Sequence, residues 1–320
     1  MTVNTEMRVR VTDVCAVADS IKRFTLARID GEPLPVFAPG AHVVVSMDDN
    51  GRLRRNPYSL MSSPSNVSKY QISVLRVPNS RGGSAFLHEQ VSVGDELTVS
   101  QPIDLFPIDN WGHRHLLIAG GVGITPFVPM MEVLNASGRQ FELVYSVRSR
   151  THGAYWEQLS ATYGSRVRIA IDVEGDVVDY RSLLLNQPLG THAYVCGPPA
   201  MIDHVLGTAR VLGWSEENLH FERFLAPPPG VPFSAALRRS GLTVEVEEHQ
   251  SLLEAIEAAG VDAPYLCRGG ACGQCETAVL AADGELLHND HYLTDDEQAS
   301  GHKIMPCVSR FVGAGLTLDL

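Results

Sequence analysis

Residues 267–275 read CRGGACGQC, and a further thiol follows at Cys307, with 31 residues between it and Cys275. Cys267, Cys272 and Cys275 with the spacing C-x4-C-x2-C, completed by a distant cysteine, form the ligand pattern of a plant-type [2Fe–2S] cluster. The small residues between the thiols suit that chemistry. A loop wrapped around two irons must bring backbone N–H groups up to the cluster sulfurs. Side chains would crowd that approach, and glycine reaches backbone angles that other residues avoid. Arg268, Gly269, Gly270, Ala271, Gly273 and Gln274 are therefore expected to present their amides to the cluster. Structural zinc usually pairs two C-x2-C knuckles, and the second is missing. A Rieske centre needs two histidine ligands close to two cysteines, and no C-x-H or C-x2-H occurs.

Two upstream stretches could hold nucleotides. GGVGITP, residues 120–126, follows the apolar run HLLIA. Gly120, Gly121 and Gly123 allow a sharp turn beside a phosphate, with Thr125 as helix N-cap, Pro126 as first helical residue and a pyrophosphate on the helix N-terminus. The loop is not a full G-x-G-x-x-G, so a plain strand–helix turn is the competing, somewhat weaker reading. RRNPYSLMSSP, residues 54–64, sets an aromatic ring next to a hydroxyl, a pair that can stack on an isoalloxazine and bond its edge. Tyr58 alone also reads as a core or edge tyrosine. NSRGGSAFLHEQ, residues 79–90, offers a Gly-Gly-Ser turn opening a short helix, again suited to phosphate.

The elements that must position these residues fall into three textures. Over 1–106, the stretches MRVRVTDV, IKRFTLARI, AHVVVSM, KYQISVLRV and DELTVSQ recur between polar or Gly/Pro breaks, as in an antiparallel barrel or sandwich. From His113 onward, RHLLIAGG, QFELVYSV, RVRIAIDV and THAYVCG alternate with helical TPFVPMMEVLNASG, HGAYWEQLSATYG and PAMIDHVLGTARVLG, which means a parallel sheet. APPPGVPF, residues 226–233, is a Pro-rich spacer. Beyond it, GLTVEVEEHQ reads as a half-buried strand, and SLLEAIEAAG as a helix with a Ser251–Glu254 capping box and closing Gly260. Cys15, in an alternating strand, is expected in the core. His288 and His291 are expected on the surface, and TDDE at 294–297 as a capped, solvated helix start.

Composition narrows the classes. The 320 residues carry a formal charge of −12, against a nucleic-acid or anionic-membrane binder. No apolar run approaches the length of a membrane span, and the N-terminus lacks a basic-then-apolar secretory signal. A reducing cytoplasm is the expected setting, in which clustered thiols serve as ligands. Four of the six cysteines lie in the last sixth of the chain.

Taken in order, PYSL, RGGS, GGVGITP, YVCGPPAMI, FERF and the four-cysteine module resemble the phthalate dioxygenase reductase family over essentially the whole chain. The resemblance implies a multidomain fold: an antiparallel FMN-binding β-barrel over 1–106, an α/β parallel-sheet NAD-binding domain over 107–225, a linker over 226–233 and a β-grasp plant-type ferredoxin domain over 234–320. By it, Tyr58, Ser59 and Leu60 line the flavin, with Arg55 and the turn Arg81, Gly82, Gly83, Ser84 near its phosphate. Gly121, Gly123 and Thr125 hold the pyridine nucleotide. Cys196, Gly197 and Pro198 sit at the nicotinamide, and Glu222 to Phe224 lie against the flavin. Ser59, Cys196 and Glu222 are the implied catalytic residues. One departure stands out. The family reads Arg-x-Tyr-Ser, whereas Arg55 stands three residues before Tyr58 with Asn56 at the expected place, so Asn56 can share Arg55's role. Without its CGPP context, Cys196 would read as an inert buried thiol.

The implied activity is NADH-dependent reduction: electrons pass from NADH through FMN and the [2Fe–2S] cluster to a terminal oxygenase, of Rieske type, in an aromatic dioxygenase or demethylase system. Delivery to a cytochrome P450 or another terminal hydroxylase is the alternative within the same class. A non-catalytic iron–sulfur carrier or redox sensor is the alternative of another class. No residue decides FMN against FAD. No acidic residue stands about 20 positions past the glycines to bind a ribose hydroxyl, and Arg148 or Arg150 could instead meet a 2′-phosphate. A monomer is expected.

Overall fold

Six strands build the first third of the chain: β1 (Met7–Ala18), β2 (Ile21–Arg28), β3 (His42–Asp49), β4 (Arg52–Ser59), β5 (Tyr70–Leu75) and β6 (Glu96–Val99). In this computed structural model residues 6–49, 51–78, 81–224 and 228–320 are described. The strands form one antiparallel sheet ordered β4-β3-β6-β1-β2-β5. Just past β4 the Met61 amide donates to the Gln71 carbonyl of β5 at 2.9 Å, bringing the two edges together so that the sheet curls into a barrel. Val9, Val11, Phe24, Val43, Val45 and Ile72 alternate inward to fill it.

Two expectations change here. β4 is a full strand, although Pro57 and three arginines obscured its period; as an edge strand it tolerates a residue without an N–H. Cys15 is exposed, because a register shift between Val11 and Asp13 of β1 carries the alternation onto the other face.

The middle of the chain is a five-stranded parallel sheet ordered β11-β10-β7-β8-β9. Its strands are β7 (Arg114–Gly120), β8 (Gln140–Val147), β9 (Val167–Ile171), β10 (Thr191–Cys196) and β11 (Leu219–Glu222). After α1 (Gly83–Glu89) of the barrel come the helices α2 (Phe127–Ala136), α3 (Trp156–Tyr163), α4 (Tyr180–Leu185) and α5 (Pro199–Val211). The chain runs outward from β7 to β8 and β9, then returns to place β10 on the other side of β7. The carboxyl ends of β7 and β10 therefore form the crevice in which open α/β sheets bind ligands. The helix after β7 starts differently from expectation. A 3-10 turn spans Gly121–Ile124, Thr125 ends it by donating its hydroxyl to the Val122 carbonyl at 3.0 Å, and Pro126 occupies the N-cap of α2.

The last third comprises β12 (Phe233–Leu237), β13 (Leu242–Val246), α6 (Leu252–Ala258), β14 (Thr277–Leu287), α7 (Asp295–Ser300), β15 (Lys303–Ile304) and β16 (Arg310–Leu318), in sheet order β13-β12-β16-β14-β15. Both capping boxes form, Ser251 with Glu254 on α6 and Thr294 with Glu297 on α7. Residues 226 and 227 of the expected linker lie outside the described residues. Arg310, buried, ties the segment after them to this domain by donating to the carbonyls of Gly230, Val231, Glu247 and Gln250. His288 and His291 are half-buried rather than on the surface. His288 lies beside buried Asp290, and His291 packs edge-on against Phe221 of β11. Among the described residues, no helix is long and apolar enough to cross a membrane.

Candidate functional site

The three sheets meet around a cavity of about 590 Å³. Tyr58 and Ser59 enter its wall from the end of β4, Arg81 and Ser84 from the turn before α1, and Gly121 and Thr125 from the loop after β7. Gly197 and Pro198 come from the end of β10, and Cys307 from the third domain.

The glycines explain how these loops can meet. Gly82 has φ +118°, and a Cβ there would lie 2.6 Å from the buried Arg54 guanidinium. A Cβ on Gly83 would stand 2.3 Å from Nδ2 of Asn56, so the turn sits directly on β4. On the nucleotide side, a Cβ on Gly123 would be 2.2 Å from the Cys196 carbonyl oxygen. The loops after β7 and β10 thus nest with no room for a side chain between them.

Asn56 and Tyr58 share a strand face, and the Asn56 amide approaches the Tyr58 hydroxyl at 3.4 Å. Burial pushes the Tyr58 phenol up to about 12, so it stays a neutral hydrogen-bonding group. Ser59 Oγ donates to Oε2 of Glu222 at 3.2 Å. Glu222 pairs in register with Cys196 and has its carboxyl pushed up to about 8, first by burial. The Ser59 bond opposes that shift and the Asp104 charge adds to it.

Cys196 and Leu60 stand behind the wall rather than in it. Cys196 is fully buried in the core of the parallel sheet, where burial pushes its thiol well above the ordinary range, and Leu60 is fully buried in the barrel core. Arg55 and Arg81 both line the larger cavity, and each is also held by a carboxylate of α6. Arg55 turns to α6, where Nη1 contacts Oε2 of Glu257 at 2.9 Å, and Arg268 of the cysteine loop contacts the same oxygen at 3.0 Å. Arg81 pairs with Glu254 and donates Nε to the His249 carbonyl at 3.2 Å. Arg150 pairs with Glu174 at 2.8 Å and stacks on Trp156, while Arg148 is exposed.

The cysteine loop fits an iron–sulfur cluster. None of the four thiols is in a disulfide, and Cys275 Sγ lies 3.3 Å from Cys307 Sγ. A hydrogen bond from Cys272 and the amides of Gly269, Ala271 and Cys272 pull the Cys267 thiol below its ordinary range, toward the thiolate that iron requires. Gly270 and Gly273 adopt φ +74° and +73°. A Cβ on Gly273 would enter the Tyr292 ring at 2.2 Å. The loop also abuts the barrel. A second cavity of about 220 Å³ has Tyr58, Ser59 and Phe224 on one side and Cys267, Gly269 and Ala271 on the other.

Residues 236–312 match the family model of the 2Fe-2S iron-sulfur cluster binding domain, and residues 99–219 that of the dimethylamine monooxygenase subunit DmmA-like N-terminal domain. A solved structure of phthalate dioxygenase reductase, described as modular for electron transfer from pyridine nucleotides to [2Fe-2S], aligns with a TM-score of 0.88 at 35% identity, over 99% of this chain and 98% of its own. The chain belongs to the phthalate dioxygenase reductase family. The carnitine monooxygenase reductase subunit of Acinetobacter baumannii is 42% identical over 97% of this chain and 96% of its own. The heme-dependent oxidative N-demethylase beta subunit of Ectopseudomonas mendocina is 41% identical over 99% and 100%. Like other phthalate dioxygenase reductase family members, this chain is an oxidoreductase with a C-terminal [2Fe–2S] ferredoxin domain behind a flavin- and NADH-binding reductase fold.

Glu254 and Glu257 escaped the sequence reading as site residues. Their separation places both on one face of α6, a signal present in the sequence, but of the three arginines they meet, Arg55 and Arg81 are distant in the chain.

Proposed function

We propose that this protein oxidises NADH and delivers electrons one at a time, through FMN and its [2Fe–2S] cluster, to a Rieske-type terminal oxygenase or demethylase. The observation that carries this reading is the convergence of Tyr58 and Ser59, the loop after β7 and the cysteine loop on adjoining cavities. FMN follows from the family resemblance.

A bound flavin supplies the conversion of a two-electron hydride into single-electron transfers. The chain's own residues do the rest. Tyr58 offers a ring face and Ser59 a hydroxyl at the flavin's edge, with Phe224 on the opposite strand end. The Gly82–Gly83–Ser84 turn offers backbone amides to its phosphate, with Arg81 and Asn56 beside them. Gly121, Gly123 and Thr125 shape the dinucleotide's seat, and Gly197 and Pro198 close the nicotinamide end. Glu222, its carboxyl pushed up to about 8 by burial, would fix the Ser59 hydroxyl at the flavin's edge. Cys196 supports this seat from beneath as a packed thiol. Cys267, Cys272, Cys275 and Cys307 hold the irons.

A haem-containing terminal enzyme is the second reading, favoured by the likeness to the beta subunit of a heme-dependent demethylase. Anaerobic titration of the purified protein with NADH, with flavin and iron assayed on the same sample, tests the first step. Bleaching of both a flavin band and the iron–sulfur absorbance is expected, with two irons per chain, as a [2Fe–2S] cluster requires, and one FMN, as the family resemblance implies. Iron without flavin and no response to NADH would overturn it in favour of a simple carrier. Turnover with a purified Rieske oxygenase against a haem demethylase then separates the two partners.

A further inference from the structure

At the amino ends of the parallel strands, opposite the nucleotide crevice, three side chains converge that play no part in electron transfer. His192 lies at the start of β10 and His220 at the start of β11. Asp109 lies in the segment leading to β7. His192 Nδ1 and His220 Nε2 are 2.9 Å apart, and Asp109 Oδ2 is 4.0 Å from His192 Nδ1. All three ligand atoms lie within 4.8 Å of one another. We propose that Asp109, His192 and His220 bind a divalent first-row cation, with zinc as its representative.

The surroundings hold these groups as ligands are usually held. Asp109 Oδ1 accepts from the Trp111 amide at 2.6 Å, which fixes the carboxylate and leaves Oδ2 to face the imidazoles. The Asp109 amide donates to the Tyr194 hydroxyl at 2.8 Å, and the Tyr194 ring stacks on His220 at 4.5 Å. Such outer contacts set ring orientation in metal sites. His192 is buried, whereas Asp109 and His220 are partly exposed, which gives an ion a route in from solvent. Two imidazole nitrogens and one carboxylate oxygen are a three-ligand set with an open position for water. Zinc at ligand distances of about 2.1 Å in tetrahedral geometry requires donor separations of about 3.4 Å. The two nitrogens therefore move apart by a few tenths of an ångström, and the carboxylate moves in.

A second observation points the same way. His115 pairs in register with His192, is fully buried, and has no hydrogen-bond partner on either ring nitrogen. A Cβ on Gly112 would lie 2.9 Å from its Cε1 and 3.2 Å from Cδ2 of His192, so both rings share one turn. A buried imidazole without partners costs stability. Its presence in the same layer means that this end of the sheet is furnished with more nitrogen donors than the protein satisfies internally.

The test uses the flavin- and iron-loaded protein, so that the cysteines are occupied. It is equilibrated with zinc, desalted, and assayed for zinc and iron by mass spectrometry. One zinc per chain with unchanged iron is expected. His192→Ala and the milder His220→Gln should each weaken zinc binding by at least about 10- to 100-fold, the loss typical of removing only an outer contact behind a ligand, while flavin, iron and NADH oxidation persist. In the wild type, Cu2+ should give an electron paramagnetic resonance spectrum with coupling to two imidazole nitrogens. No zinc retained by the wild type, equal retention by both variants, or copper bound only through oxygen would overturn the proposal.

Discussion

Ser59 Oγ donates to Glu222 Oε2 at 3.2 Å, joining the end of β4 in the barrel to the end of β11 in the parallel sheet. The acceptor is a half-buried carboxyl pushed, chiefly by desolvation, from its ordinary 4.5 to about 8. Between those values the folded chain holds a proton that the unfolded chain has released. Stability therefore falls as pH rises through that window, and the loss is complete above about pH 8. Glu222→Gln keeps a neutral partner for Ser59 and removes the titration. Melting temperatures from pH 5 to 9 should decline more steeply for the wild type than for the variant; parallel curves would mean that the carboxyl is already ionised when folded.

The same residue predicts a kinetic effect. Ionised Glu222 would place a negative charge beside the nicotinamide, which becomes cationic as hydride leaves, so flavin reduction by NADH should quicken above about pH 8 in the wild type. Stopped-flow traces of Glu222→Gln should show no such break. If the variant is instead much slower than the wild type at neutral pH, the carboxylate is already the working form there.

Much of this arrangement was legible in the sequence, and the exceptions have local causes. The C-x4-C-x2-C spacing identified the cluster because iron ligation fixes both residue type and distance. The strands of the parallel sheet stood out because burial on both faces makes them continuously apolar. β4 did not, since Pro57 and its arginines break the alternation, and the bulge in β1 reversed the facing of Cys15. Neither the Ser59–Glu222 bond nor the ion pairs of Arg55 and Arg81 with α6 could be read from the chain. Each depends on how domains come together, which no local pattern encodes.

Glu257 accepts from Arg55 of the barrel and Arg268 of the cysteine loop, and the three side chains are largely shielded from water. Glu257→Gln leaves two shielded guanidinium groups without a counter-charge, which costs about 3–5 kcal/mol when burial is complete and less here. The expected result is a cysteine domain less firmly seated on β4. Flavin reduction by NADH should be unchanged, and the following electron transfer to the cluster slower. Rapid-mixing absorbance at flavin and cluster wavelengths separates the steps. Equal slowing of both would show that Glu257 supports the whole assembly rather than this contact.

Two glycines of one loop should respond differently. Gly121 has φ +53° with open space around it, so Gly121→Ala costs only the left-handed backbone penalty, about 1–2 kcal/mol. A methyl on Gly123 collides with the backbone of Cys196 and Gly197, at 2.2 and 2.7 Å, where nothing flexible can yield. Gly123→Ala should therefore raise KM for NADH by at least tenfold while flavin and iron content are kept, and Gly121→Ala should raise it far less. The reverse order would mean that loop conformation, rather than the nesting of the two loops, governs the nucleotide seat.

Cys272→Ser separates the two electron carriers. Cys272 is partly exposed at the outer side of the loop, whereas Cys267, Cys275 and Cys307 are buried. The substitution removes one thiolate ligand without disturbing the Arg55–Glu257–Arg268 contact or any wall of the larger cavity. Iron should be lost and the flavin retained. NADH should still bleach the flavin at close to the wild-type rate, because the residues around Ser59 and Gly123 belong to other domains. Electron delivery to a terminal oxygenase should fall by at least an order of magnitude, since the cysteine loop is the route outward from β4. A folded variant whose flavin no longer responds to NADH would show that the cluster loop also shapes the flavin site, and that the two cavities act as one.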